Sequence, residues 1–176
     1  MKKFKNNYGF TIIELFVVMA IISILSSVVF FNWRSGEASF ALQNSAYRLS
    51  QDIREMQEMA MEAIEIDCGG GEIGSSFGIR FKKSYANYYE LGVDCNGNKV
   101  FEANDILRKV YFEEGIEIFD LSPNASFSLI FEPPEPTTYI KGETSGTEAV
   151  IEIYNPEYSS RKKTIRVNTS GMIEVK

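Results

Sequence analysis

The sequence predicts an α+β protein: one long N-terminal helix, apolar in its first half and amphipathic in its second, packed on an antiparallel β-sheet head. Three observations carry that prediction. No charged residue occurs from Leu15 to Phe31, inside the stretch "NNYGFTIIELFVVMAIISILSSVVFFNW". Beyond Trp33, apolar residues recur at alternating steps of four and three, at Leu42, Ala46, Leu49, Ile53, Met56, Ala60 and Ala63. From Ile73 onward, short runs rich in Ile, Val, Phe and Tyr are separated by turn residues.

The apolar run comes first. As a helix, Leu15–Phe31 would be about 25 Å long; adding Phe10–Ile13 and continuing to Trp33 covers the ~30 Å hydrocarbon layer. A buried core helix is the competing reading, and an uncharged run of this length favours the bilayer. Lys2, Lys3 and Lys5 precede it with no acidic residue among them. Because such lysines stay on the cytoplasmic side, the C-terminal part is expected outside the cytoplasm. A conventional secretory signal would be followed by small residues of the A-x-A kind, and "VVFFNWRSGEASF" offers no good site of that type. Glu14 is the anomaly. A charge near the bilayer centre costs about 2.5–3.5 kcal/mol and marks a functional residue by default.

Composition narrows the function classes. The 176 residues are a one-domain length and contain no histidine, which excludes histidine-based triads and histidine metal sites. No nucleophile stands at motif spacing from a recognisable base, so no enzyme is expected. The formal charge is -6; setting aside Lys2, Lys3 and Lys5 leaves 15 basic against 24 acidic residues, or -9. An acidic body of this kind fits an exported surface better than a general nucleic-acid binder.

The segment "GFTIIELFVV" resembles the cleavage and methylation signature of type IV prepilins and type II secretion pseudopilins. The shared features are a short basic leader, Gly9, Phe10, the small hydroxyl residue Thr11, and Glu14 four positions after the phenylalanine. The resemblance implies a pilin-like fold and cleavage after Gly9 by a prepilin peptidase, with methylation of the new Phe10 amine. It ties Thr11 and Glu14 to assembly. A freed ammonium at Phe10 and a carboxylate at Glu14, about 4 Å apart at an effective dielectric of ~20, attract by about 4 kcal/mol. They are one helical turn apart within a chain, so a self-pair is open; in the family the pair is thought to run between neighbouring subunits of a helical filament. Implied partners are other pilins or pseudopilins, the peptidase, an inner-membrane assembly platform and membrane lipid. Ser23 and Phe31 depart from the family pattern, which often has Gly and Pro there. The expected divisions are a leader over 1–9, a membrane-spanning part over 10–33, an amphipathic helix over 34–66 and a β-rich head over 67–176.

The apolar stripe from Leu42 to Ala63 covers only about three heptads, so it is expected to pack on the chain's own sheet rather than in a coiled coil. "CGGGEIGSS" is expected to stop the helix. The expected strands are "FGIRF", "YYELGV", "ILRKVYF", "IEIF", "FSLIF", "AVIEIY", "KTIRV" and "MIEV". "FEPPEPTTYIKGETSGTE" is too rich in Pro, Gly and Thr to be strand throughout. The order of these pieces after the helix resembles the pseudopilin-H and FimT-like minor pilin group.

Three features of the head could carry chemistry. In "DCNGNKVFEAND", oxygen donors fall at the spacing of a 12-residue calcium loop: Asp94, Asn96, Asn98, the Val100 carbonyl, Glu102 and Asp105. Lys99 stands where such a loop calls for glycine and Asp105 is shorter than the usual glutamate, while Asn-Gly also marks a plain hairpin turn. Cys68 and Cys95 would meet an oxidising compartment in an exported chain, where a bridge is expected. Arg161, Lys162, Lys163 and Arg166 cluster around "RKKTIRV"; they either solvate a strand or capture nucleic acid. The expected function is a structural subunit, of the minor kind, of a type IV pilus or type II secretion pseudopilus. The alternative is a membrane-anchored module whose head captures DNA, a surface or Ca2+.

Overall fold

The computed structural model describes residues 9–69, 72–102, 105–134, 137–140 and 148–176, with the side chains at 30–35 and 72 left aside. Lys2, Lys3, Lys5 and most of the expected leader lie outside these. The chain divides into two compact units, Met1–Glu37 and Ala38–Lys176.

Helix α1 covers Ile12–Met61 and contributes to both units. In the first unit its described apolar side chains are exposed, from Ile12 at 76% to Val18 at 48%. Ile12–Val29 is long and apolar enough to cross a bilayer. Ser23 and Ser27 turn their hydroxyls back onto the carbonyls of Met19 (2.8 Å) and Ile24 (2.7 Å), so these polar groups need no water. The helix passes through Phe31 without interruption; phenylalanine keeps the backbone donor that proline would remove.

The second unit begins with the amphipathic part of α1. Leu42, Ala46, Leu49, Ile53, Met56 and Ala60 are all buried in the core. The stripe stops there, and the helix ends at Met61 rather than at residue 66. The cause is a terminal left-handed residue, Ala63, at φ 48°. Its amide donates to the Ala60 carbonyl (3.0 Å) and the next amide, of Ile64, donates to Met59 (3.3 Å), the paired bonds of a Schellman cap. Ala63 is therefore exposed, not a core residue. A Cβ at this position is disfavoured. Ala63→Gly is expected to stabilise the protein by about 1 kcal/mol, read as a higher thermal midpoint of the full chain in detergent; a lower midpoint would contradict the cap.

Among the described residues, eleven strands follow the helix: β1 Ile66–Gly69, β2 Glu72–Gly74, β3 Ser76–Lys82, β4 Tyr88–Asp94, β5 Ile106–Tyr111, β6 Glu117–Ser122, β7 Ser126–Glu132, β8 Thr137–Ile140, β9 Glu148–Tyr154, β10 Lys162–Asn168 and β11 Ile173–Val175. The head is not one sheet. A five-stranded sheet has the order β5-β4-β3-β7-β8, a four-stranded sheet the order β11-β10-β9-β6, and β1-β2 forms a separate hairpin. Every pair is antiparallel. The β1-β2 hairpin occupies residues expected only to stop the helix, and β8 lies inside the Pro- and Gly-rich stretch.

Strand alternation builds the core from both sheets. Phe77, Ile79 and Phe81 of β3 face it together with Ile151 and Ile153 of β9 and Ile165 and Val167 of β10. Gly78, on the other face of β3, lies so close to the Leu129 carbonyl of β7 that a Cβ there would clash. The helix is tied to several head elements by polar contacts. Tyr89 donates to Asp52 (2.5 Å), Arg108 pairs with Glu55 (2.9 Å), the Glu113 amide donates to Ser45 Oγ (3.1 Å) and Gln57 donates to the Gly171 carbonyl (2.8 Å). Burial, and then the bond to Asp52, push the Tyr89 hydroxyl well above the usual phenol range. At the open edge of the larger sheet, β5 exposes Leu107, Arg108, Lys109 and Tyr111.

A buried ion pair sits between β3 and β4. Arg80 and Glu90 face each other across the ladder. Arg80 Nε and Nη2 both donate to Glu90 Oε2 (2.8 and 2.6 Å), and Arg80 Nη1 donates to the Phe101 carbonyl (2.7 Å). Lys109 approaches Glu90 Oε1 at 3.6 Å. Glu90 is 1% exposed, so its charge is met by cations instead of water.

Candidate functional site

The N-terminal site begins with an open backbone. Gly9 and Phe10 are exposed, and a Cβ built at Gly9 would meet nothing within 4 Å. The fold itself thus makes no steric demand for glycine at this position. Helix α1 starts at Ile12, which makes Thr11 its N-cap and Glu14 its third residue. The Glu14 amide donates to Thr11 Oγ1 (3.3 Å), while the Thr11 amide and hydroxyl both donate to Glu14 Oε2 (3.2 Å each). This is a reciprocal capping box. At the head of the apolar helix the carboxylate thus satisfies the Thr11 amide, and the Thr11 hydroxyl satisfies the Glu14 amide, two backbone donors that lipid would leave unpaired. The pattern [ST]-x-x-[DE] before an apolar run signals such a box, and "TIIE" carries it. The structure thus gives Glu14 a partner within its own chain without any freed amine.

In the head, Cys68 of β1 and Cys95, just after β4, are joined by a disulfide with Cα atoms 5.8 Å apart. The bridge spans a sequence separation of 27. On the chain-entropy account, closing it contributes roughly 3–4 kcal/mol. Cys68→Ser, or full reduction, should lower the unfolding free energy by that amount, read as a lower denaturant midpoint with a larger m-value because the unfolded chain loses its cross-link. Equal midpoints with and without reductant would contradict the contribution.

The loop from Asp94 to Asp105 is held at several points. Asp94 Oδ2 accepts from the Lys99 amide (2.7 Å), Asn96 Oδ1 from the Asn98 amide (3.0 Å) and Asn98 Oδ1 from the Val100 amide (2.8 Å). Asn98 Nδ2 donates to Glu102 Oε1 (3.2 Å). Asp105 Oδ1 accepts from the Cys95 amide (3.4 Å) and Oδ2 from the Glu102 amide (2.6 Å). Lys99 does take the left-handed conformation that glycine would supply, φ 61°. Its ammonium reaches Glu132 at 3.1 Å and lies 3.8 Å above the Tyr139 ring. Phe101 is buried, and the Phe101 carbonyl is the one bound by Arg80. Among the described residues no group of three or more His, Cys, Asp and Glu side chains is placed to hold a metal ion. A cation in this loop would depend on amide and carbonyl oxygens as well as carboxylates.

The basic cluster does not converge. On β10, Lys162 and Arg166 fall on one face and Lys163 on the other, as the two-residue period requires. Lys162 Nζ lies 4.0 Å from Glu152 and 3.1 Å from the Phe119 ring centroid, and Arg166 pairs with Glu148 at 3.1 Å. Arg161 stands just before the strand, exposed. Since β10 lies between β9 and β11, these cations do not guard an open edge.

Comparison with known proteins adds two findings. Residues 4–30 match the family model described as the prokaryotic N-terminal methylation motif. The fold is similar to the crystal structure of the type IV minor pilin FimU from Pseudomonas aeruginosa, with a TM-score of 0.53 and 16% identity, covering 77% of this chain and 87% of that one. No curated protein matches the sequence. The motif match covers the N-terminal segment alone, and the structural likeness shows that the α+β fold is shared with that pilin.

Proposed function

We propose that this chain is a non-enzymatic structural subunit, of the minor kind, of a type IV pilus or type II secretion pseudopilus. A prepilin peptidase cuts after Gly9 on the cytoplasmic face and the Phe10 amine is methylated. The helix then holds the subunit in the inner membrane with the head outside the cytoplasm, until an assembly platform passes it into a filament. One observation carries this reading: a capped glutamate, Glu14, heads an exposed apolar helix within a matched methylation motif.

The cap supports the assembly role of Glu14. Both contacts from Thr11 fall on Oε2, and a carboxylate has acceptor capacity on two oxygens. Before cleavage the box gives the charge a tolerable place in the membrane. After cleavage the Phe10 ammonium of a neighbouring subunit is a stronger partner, because both members of the pair are charged. The open backbone at Gly9 suits a demand for glycine made by a peptidase.

N-terminal sequencing of the protein recovered from membranes or filaments tests the reading. The expected first residue is N-methylated Phe10. A chain that still begins at Met1, or one trimmed beyond Trp33, would overturn it.

A further inference from the structure

We propose that Asn96 is a site of spontaneous covalent modification: the Gly97 backbone nitrogen attacks its side-chain amide, ammonia is lost, and a carboxylate takes its place at the disulfide-linked corner of the head. This inference is independent of the filament reading, since it concerns the folded head alone. The carrying observation is a contrast among four asparagines with the same local turn. Asn96, Asn98, Asn155 and Asn168 each accept, on Oδ1, the backbone amide two residues ahead: that of Asn98 (3.0 Å), Val100 (2.8 Å), Glu157 (2.9 Å) and Ser170 (3.1 Å). Such a turn folds the side chain back over the peptide unit that follows it. What separates the four is the residue in between.

That residue supplies the attacking nitrogen. After Asn155 it is Pro156, whose nitrogen carries no hydrogen to give up. After Asn168 it is Thr169, whose β-branch crowds the backbone. After Asn98 it is Lys99, and the Lys99 amide is already donated to Asp94 Oδ2 (2.7 Å). After Asn96 it is Gly97, which has no side chain to hinder its nitrogen, and even a Cβ built there would meet nothing within 4 Å. Asn96 and Gly97 are both exposed, so water reaches them. No other Asn-Gly pair occurs in the sequence.

The step balances with water as the sole co-reactant. The Gly97 nitrogen gives its proton to water or hydroxide and bonds to Asn96 Cγ, so that negative charge gathers on Oδ1. The Cγ–Nδ2 bond then breaks, ammonia leaves, and a cyclic imide remains. Water opens that ring at either carbonyl, giving aspartate or, with the main chain rerouted through the former side chain, isoaspartate. The Asn98 amide, 3.0 Å from Oδ1, already points at the atom where charge develops, the disposition that lowers such a barrier. Either product places a new negative charge next to Cys95 of the bridge. Isoaspartate also lengthens the backbone just ahead of Lys99, which loosens its amide bond to Asp94 and its ion pair with Glu132.

The test is peptide mapping by mass spectrometry of the oxidised full-length protein in detergent, after incubation at mildly alkaline and at mildly acidic pH. Asn96 is expected to become aspartate and isoaspartate, faster at alkaline pH because the nucleophile must lose a proton. Asn98, Asn155 and Asn168 should stay intact over the same period. Folding should not protect the site, so conversion in the native head should be at least as fast as in the same chain unfolded in denaturant. Gly97→Ala should slow it by about tenfold or more; if that variant fails to fold, the comparison of native with unfolded chain carries the test. An unchanged Asn96, equal conversion of Asn98 or Asn168, protection of Asn96 by folding, or an undiminished rate in folded Gly97→Ala would overturn the site.

Discussion

Glu14→Val subunits should accumulate in the membrane at normal levels and be almost absent from purified filaments. The apolar replacement lengthens the hydrophobic run and does not hinder insertion. On the proposed pairing, it removes an attraction of about 4 kcal/mol to a neighbour's ammonium, worth roughly a thousandfold in an equilibrium constant. The capping box makes a second variant necessary, because valine also deletes the acceptor for the Thr11 amide and hydroxyl. Glu14→Gln keeps an acceptor there and loses only the charge, so it should assemble as poorly as the valine variant. Thr11→Ala does the reverse. It loses the hydroxyl that bonds the Glu14 amide, at about 0.5–2 kcal/mol of helix stability, and leaves the charge in place, so it should still enter filaments. Quantitative immunoblotting of membrane and sheared-filament fractions reads all three. Normal filament entry by the valine variant would refute the assembly role, and wild-type entry by the glutamine variant would reduce Glu14 to a cap.

The second large effect lies in the head. Glu90→Ala is expected to destabilise it by about 3–5 kcal/mol, because it strands the Arg80 guanidinium, 9% exposed, without its carboxylate. Arg80→Ala should cost a similar amount, since it leaves Glu90 charged and buried and also frees the Phe101 carbonyl. The Arg80→Ala, Glu90→Ala double variant should be far milder than the sum, as the buried charge disappears with its partner. Chemical denaturation of the four proteins forms a double-mutant cycle. Additive losses would show that Arg80 and Glu90 act separately and would contradict the clamp.

Much of this architecture was legible in the residues. The helix stripe from Leu42 to Ala60 and the strands "AVIEIY" and "KTIRV" show apolar periodicity directly, because each buries one face and wets the other. The helix end at Met61 was not, since the left-handed position there is filled by Ala63 and no glycine marks it. The β1-β2 hairpin was hidden for a related reason: "CGGGEIG" reads as a breaker, and its short strands carry few of the residues that announce a sheet. The division into two sheets depends on β6 pairing with β9 across a long stretch of chain, a choice local patterns do not encode. At the N-terminus the charged anomaly of Glu14 was visible, and so was its pattern with Thr11; attention to the charge alone passes over the cap. Arg80 and Glu90 each look like ordinary solvent-facing strand residues, and only the register that sets them opposite one another makes them a buried pair.

The outer margin of β5 bears on how heads can crowd together. A strand with unpaired amides and carbonyls invites another copy to join it, and polymers that concentrate such domains on one axis would be prone to fuse into aggregates. Here the margin carries Arg108 and Lys109, with Arg108 drawn onto Glu55 of the helix. Two copies approaching margin to margin would bring like charges together before any ladder could form. In the filament proposed above, neighbouring heads would then meet through side-chain surfaces and not through shared strands.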